Sequence, residues 1–152
     1  MPYSKPVLQS EPFRDRIRQV ASGSMRPTLY KDDIILIERP TGGICPGDII
    51  VFLSTDGIEV CHRVTAILPN GDYVTRGDGT TRNDPAPVPP GRLVGRAAAV
   101  LRNRQFVDLV NGADGLALAR VAHRRRRLRS LASKLYSSIG RPFDRFRNAR
   151  RR

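Results

Sequence analysis

The segment Ser22-Gly23-Ser24-Met25-Arg26-Pro27-Thr28-Leu29 sets one serine between small or flexible neighbours, on a tight turn that Pro27 stiffens. A nucleophilic serine has to be presented on such a turn, because its hydroxyl needs open space for the carbonyl it attacks. A nearby donor must also hold the oxyanion that forms. Ser22 is close enough in the chain to be that donor. The same string also reads as a plain Ser/Gly turn joining two strands. An activated serine needs a general base within hydrogen-bond reach. The chain has only two histidines, His62 and His123, and three lysines, Lys5, Lys31 and Lys134. His62 stands in Val60-Cys61-His62-Arg63-Val64, and histidine as a residue type titrates at about 6.5, which suits it to take a serine proton near neutrality. It equally reads as a core histidine on a strand. Cys61 is its chain neighbour, and consecutive strand residues point to opposite faces, so a Cys61–His62 dyad is not expected. His123 sits among arginines and reads as a solvated side chain. A base works better when a carboxylate holds its tautomer, and Asp78 and Asp84 in the Thr75–Asp84 segment are eligible. Both also lie in ordinary turn formers, Gly-Asp-Gly and Asn-Asp-Pro.

The string S-G-S-M-x-P resembles the nucleophile box of the type I signal peptidases. The resemblance implies that Ser24 attacks and that its own N–H and the Ser22 hydroxyl form the oxyanion hole. Proteases with this box use either lysine or histidine as base. Lys5 lies near the start of the chain, Lys134 lies near its end, and Lys31 follows Ser24 by seven residues, too early for the lysine box. His62-Arg63-Val64 is similar to the H-R-V box of the endoplasmic-reticulum, archaeal and sporulation-type signal peptidases, and its place after Gly47-Asp48-Ile49-Ile50-Val51-Phe52 matches that subgroup. Thr75-Arg76-Gly77-Asp78-Gly79-Thr80-Thr81-Arg82-Asn83-Asp84 is similar to the T-K-G-D-N-N-x-x-D-D box of the same subgroup. Alignment to that box makes Asp84 the first choice for the third triad member, with Asp78 as the alternative or as an organiser of the loop. The chain departs from the box at Gly79 and Thr80, where the family has two asparagines, and at Asn83. Gly91-Arg92-Leu93-Val94-Gly95-Arg96-Ala97 resembles the closing I-V-G-K strand. The likeness covers roughly residues 17–100. It implies a serine endopeptidase acting on a peptide or protein precursor, and a mostly β, two-sheet signal peptidase/repressor-protease fold. It calls for no cofactor and no metal. A non-catalytic peptide-binding module of the same fold and a nucleic-acid-associated regulator are the competing classes.

The elements that would position these residues are short strands. The apolar runs predict strands over Ile17–Ala21, Asp33–Glu38, Ile49–Leu53, Ile58–Leu68 and Tyr73–Arg76, with a final hairpin of Leu93–Leu101 and Gln105–Val110. Pro69-Asn70-Gly71-Asp72 is a hairpin turn, since Asn-Gly tolerates positive φ. Three prolines mark residues 1–16 as a flexible lead-in, the β domain spans 17–112, and a basic helical tail spans 113–152. Within the tail, Leu128, Leu131, Ala132, Leu135, Tyr136 and Ile139 fall at helical spacing beside Arg124–Arg127 and Arg129, which predicts a basic amphipathic helix.

A chain of 152 residues with two cysteines makes one domain with a real core and no disulfide framework. Cys45 and Cys61 are expected to be reduced, buried small residues. The absence of tryptophan and the 6% aromatic content argue against a base-stacking platform. The net charge of +13 is concentrated in the tail: residues 1–119 carry 14 Lys+Arg against 13 Asp+Glu, whereas residues 120–152 carry 13 Lys+Arg against Asp144 alone. Such a tail fits contact with an anionic membrane, with nucleic acid, or simple solvation. No run approaches the roughly 20 apolar residues that span a bilayer, so a soluble or peripheral, cytoplasmic protein is expected. That departs from the anchored signal peptidases and favours a single leader or partner as substrate.

Overall fold

The computed structural model describes residues 15–138. Seven antiparallel strands and one long helix make up the domain: β1 (Ile17–Gln19), β2 (Ile34–Glu38), β3 (Ile49–Leu53), β4 (Glu59–Ile67), β5 (Tyr73–Arg76), β6 (Leu93–Arg102), β7 (Gln105–Asp108) and α1 (Gly112–Ser138). The expected strands are all present, with bounds that agree to within two residues; β6 runs one residue past its expected end. The proposed lead-in lies outside the described residues except for its last two positions, as do Ile139 and everything after it.

The strands join in the order β1-β2-β6-β3-β4-β5, with β7 also on β6. The expectation of two sheets is therefore corrected: one seven-stranded sheet forms. The reason lies in β6. Along one edge its first half pairs with β3 (Arg96 opposite Ile50, Leu93 opposite Phe52) and its second half with β7 (Val100 opposite Val107). Its other edge pairs with β2 (Val100 opposite Ile35, Arg96 opposite Glu38). One strand of ten residues thus serves three neighbours and keeps the ladder continuous. Register shifts in the β2–β6, β3–β6 and β4–β5 pairings let the sheet twist and bend.

Each face of this single sheet carries its own apolar cluster. Ile49 and Val51 point to one, with Ile35, Ile37, Val20, Met25 and Leu29. Ile50 and Phe52 point to the other, with Val64, Tyr73 and Val88. Covered on both faces, β3 needs an unbroken apolar run rather than alternation, and Ile49-Ile50-Val51-Phe52 supplies it. Met25 and Leu29, from the serine turn, are 1% and 0% exposed. The turn is therefore part of the core and not an appendage.

The helix begins earlier than the amphipathic stripe predicted. Asp48 accepts the Gly112 N–H at 2.9 Å, and Asn111 accepts from the Ile49 N–H at 2.7 Å while donating to the Ala97 carbonyl. These bonds fix the start of α1 against β3 and β6. Leu128 and Leu131 of the stripe are exposed. Among the described residues no helix is long and apolar enough to cross a membrane.

Leu29→Ala should cost about 2–5 kcal/mol, the range for removing a fully buried leucine side chain. Urea unfolding would show the loss. A change under about 1 kcal/mol would mean that the serine turn does not depend on this anchor.

Candidate active site

The serine turn leaves β1 through the buried Val20, and the Val20 backbone bonds Asp33 and Asp32 across the loop's base. The turn is closed by the Arg26 N–H donating to the Gly23 carbonyl and the Thr28 and Leu29 N–H groups donating to the Met25 carbonyl. Ser24 is lifted half-buried above this base. His62 rises from the middle of β4, where the strand has β3 on one side but is not yet paired with β5 on the other. Its ring packs edge-on to Phe52, with centroids 6.5 Å apart. Asp84 is held beside β5: its N–H donates to the Thr75 carbonyl at 2.8 Å, and its carboxylate accepts the Thr75 hydroxyl at 2.7 Å.

These three side chains meet. His62 Nε2 lies 2.9 Å from Ser24 Oγ, and His62 Nδ1 lies 2.7 Å from Asp84 Oδ2. Burial alone would raise the Asp84 carboxyl. Hydrogen bonds from His62 and Thr75, and the charge His62 can carry, outweigh burial and hold it below its ordinary value. Asp84 is therefore ionised at neutral pH and can only accept. The Nδ1 of His62 must then carry the proton, which leaves the Nε2 lone pair of the neutral ring facing the Ser24 hydroxyl. Ser22 Oγ is 3.1 Å from Ser24 Oγ and accepts the Ser24 N–H at 3.4 Å, so a hydroxyl and an N–H lie side by side at the serine.

Asp78, the alternative to Asp84, is not at the histidine. It is 7% exposed and takes a bidentate pair from Arg63, Nε to Oδ1 at 2.9 Å and Nη2 to Oδ2 at 2.8 Å. It also accepts the Thr28 hydroxyl at 2.5 Å, and its N–H points at the Met25 sulfur. Arg63 spends its remaining nitrogen on the carbonyls of Gly47 and Val110. Asp78 is thus the organiser of the loop. Its flanking glycines have a stricter duty than turn formation. A Cβ on Gly77 would stand 2.5 Å from the Ser24 carbonyl oxygen and 3.1 Å from His62 Nε2, and one on Gly79 would stand 2.7 Å from the same oxygen. Gly79 instead donates its N–H to that oxygen at 2.6 Å. Gly79, one of the positions that differ from the T-K-G-D-N-N-x-x-D-D string, is where the loop passes under the serine.

Cys61 points to the opposite face from His62, in the Val51 cluster, and burial pushes its thiol up to about 12. Cys45 corrects an expectation, being exposed, and both cysteines are free. Lys31 is absent from every contact with Ser24, whose side-chain partners are Ser22 and His62. His123 is half-buried, with its Nδ1 out of contact with solvent. Among the described residues no group of three His, Cys, Asp or Glu could hold a metal. Sequence reasoning missed Arg63, Thr28 and Thr75. Arg63 is the strand neighbour of His62 and so faces the other way, and the run Arg63-Val64 inside a buried strand was the available signal. No family model matches this chain, and no curated protein matches it.

The two aspartates predict opposite phenotypes. Asp78→Ala leaves the Arg63 charge buried without its partner and should cost about 3–5 kcal/mol; urea unfolding near that of the parent would refute the organising role. Asp84→Asn keeps the Arg63 pair. A carboxyl depressed in the folded state adds stability that is present above its unfolded pKa of about 3.9 and is lost as pH falls through the lower folded value. The stability gap between the parent and Asp84→Asn should therefore narrow below about pH 4. A gap that stays constant to pH 2 would show that the charge is not what Thr75 and His62 hold.

Proposed function

We propose that this protein is a serine endopeptidase of signal-peptidase type, cleaving a peptide or protein precursor by a Ser24–His62–Asp84 mechanism. One observation carries the reading: a single imidazole bridges a carboxylate at 2.7 Å through Nδ1 and a serine hydroxyl at 2.9 Å through Nε2. The arrangement matches the roles a nucleophile, base and orienter must have. The order of boxes along the chain supports the resemblance to the histidine-dependent signal peptidases, and the sheet would then be the catalytic core of the signal peptidase/repressor-protease fold.

In that reaction Ser24 Oγ attacks the peptide carbonyl carbon while its proton passes to His62 Nε2. Asp84 stabilises the imidazolium that forms. The tetrahedral oxyanion accepts from the Ser24 N–H and the Ser22 hydroxyl. His62 returns the proton to the leaving amine, and the C–N bond breaks. A water then attacks the acyl-serine with His62 as base, and releases the new carboxyl end. A cleft of about 380 Å³ runs from β1 to the free edge of β4, lined near the serine by Val20, Ala21, Met25, Val51 and Cys61. Its apolar lining beside exposed strand edges suits an extended chain with small side chains before the cleaved bond.

The parent should be labelled on Ser24 by a fluorophosphonate probe, and Ser24→Ala and His62→Ala should each remove labelling while retaining a cooperative unfolding transition. Labelling that persists in Ser24→Ala would end the proposal, and no labelling of the folded parent would favour the non-catalytic peptide-binding module. Gly77→Ala should slow labelling about 100-fold, the scale expected when a reacting group is displaced by about 1 Å. An unchanged rate would show that the loop does not set the serine's position.

A further inference from the structure

A second concave site lies beside the loop that carries Asp84. It is a basin of about 440 Å³ between the β4–β5 hairpin, that loop and α1. Arg76 reaches it from β5, Asn83 from the loop, and Arg120, His123, Arg124 and Arg127 from α1. Four arginines line one cavity, and among the described residues no Asp or Glu lines it. Arg18, Arg63, Arg96 and Arg102 each have a carboxylate partner; among the described residues the four basin arginines have none, and what sets them apart from other unpaired arginines such as Arg39, Arg92 and Arg104 is that they share one cavity.

The walls are fixed before any ligand arrives. Arg126 donates to the Gly79 carbonyl and, at 3.3 Å, to the Arg26 carbonyl, and Ala119 is buried beneath the helix. The helix is therefore docked on the sheet at the basin and not free to swing its charges apart. His123 reports the result. Its Nδ1 is buried with no hydrogen-bond partner among the described residues. Desolvation first, then the charges of Arg76 and Arg127, with a smaller push from Arg126, hold its pKa below the ordinary histidine value, against a backbone hydrogen bond at Thr80. Like charges gathered without counter-charges repel, and a bound anion would relieve that repulsion.

We propose that this basin binds a phosphate-bearing anion, with the Arg76, Arg120, Arg124 and Arg127 guanidinium groups on its oxygens and the Asn83 amide at its rim. Planar guanidinium forks arriving from two walls match an anion with several oxygens in different directions. The cavity exceeds what one orthophosphate fills, which fits a diphosphate or a phospholipid headgroup. The site uses neither Ser24 nor His62, so it stands or falls separately from the protease reading.

The test uses the full chain with two probes. One arm titrates inorganic pyrophosphate, read by calorimetry and by the His123 imidazole resonances. The other sediments the chain with phosphatidylcholine vesicles, with and without phosphatidylglycerol. The basin variant is Arg76→Gln/Arg120→Gln/Arg124→Gln. A control, Arg39→Gln/Arg92→Gln/Arg104→Gln, removes the same charge elsewhere. Both should unfold at the parent's midpoint or above it, since none of the six arginines has an ion pair among the described residues. Saturable pyrophosphate binding that moves the His123 signals and weakens about tenfold or more in the basin variant alone supports the site. Basin-dependent binding seen only with phosphatidylglycerol also supports it and makes the headgroup the source. Equal weakening in both variants would reduce the effect to net charge and overturn the proposal. So would no binding of either probe, including the case where the chain binds an oligonucleotide only.

Discussion

The buried pair of Arg63 and Asp78 is the interaction on which the candidate active site depends. Both side chains are 3% exposed. Such a pair is a doubtful source of net stability, because desolvating two ions consumes most of what their attraction returns. Its value here is positional. Arg63 fixes the middle of β4 to the Gly77–Gly79 loop, and through the Gly47 and Val110 carbonyls to the turn before β3 and the segment entering α1. Asp78 passes the constraint to the serine turn through the Thr28 hydroxyl. One guanidinium thereby ties together the strand that carries His62, the loop that leads to Asp84 and the turn that carries Ser24.

His62 and Arg63 divide the work of one strand between its two faces. The period of two sends the imidazole to the face that carries Phe52 and the guanidinium to the opposite one. A single added residue before them would exchange their places. The glycines flanking Asp78 complete the arrangement, since the loop crosses beneath Ser24 at hydrogen-bond distance from its carbonyl. Backbone contact that close leaves no room for a side chain at either position.

The helix links the two charged regions of the molecule. Its first turns lie against the sheet, where Gly115 meets Arg63 and the Val110 carbonyl and where Ala119 is buried. Arg126 then spans the carbonyls of Gly79 and Arg26, on either side of the serine. The rest of the basic surface has no such duty in the sheet. Leu118, Val121, Leu128 and Leu131 are 57%, 49%, 66% and 57% exposed, so these helix side chains, Leu128 and Leu131 of the stripe among them, do not pack into the core.

The sequence by itself marked out the strands, Ser24, His62 and two candidate aspartates. Strand signals are local: apolar runs such as Ile49-Ile50-Val51-Phe52 and turns such as Asn70-Gly71 depend on neighbours in the chain. The scarcity of histidine and the spacing of the boxes narrowed the base to His62 for the same reason. Choosing between Asp78 and Asp84 took the tertiary structure, because both lie in similar turns and differ only in which distant group each one meets, Arg63 or His62. So did the single sheet, since β6 can serve β2, β3 and β7 together only once strands far apart in sequence are aligned. The arginine basin was invisible as well. Arg76 is separated from Arg120 by the whole of β6 and β7, and local charge counts record how much charge a segment holds but not where folding gathers it.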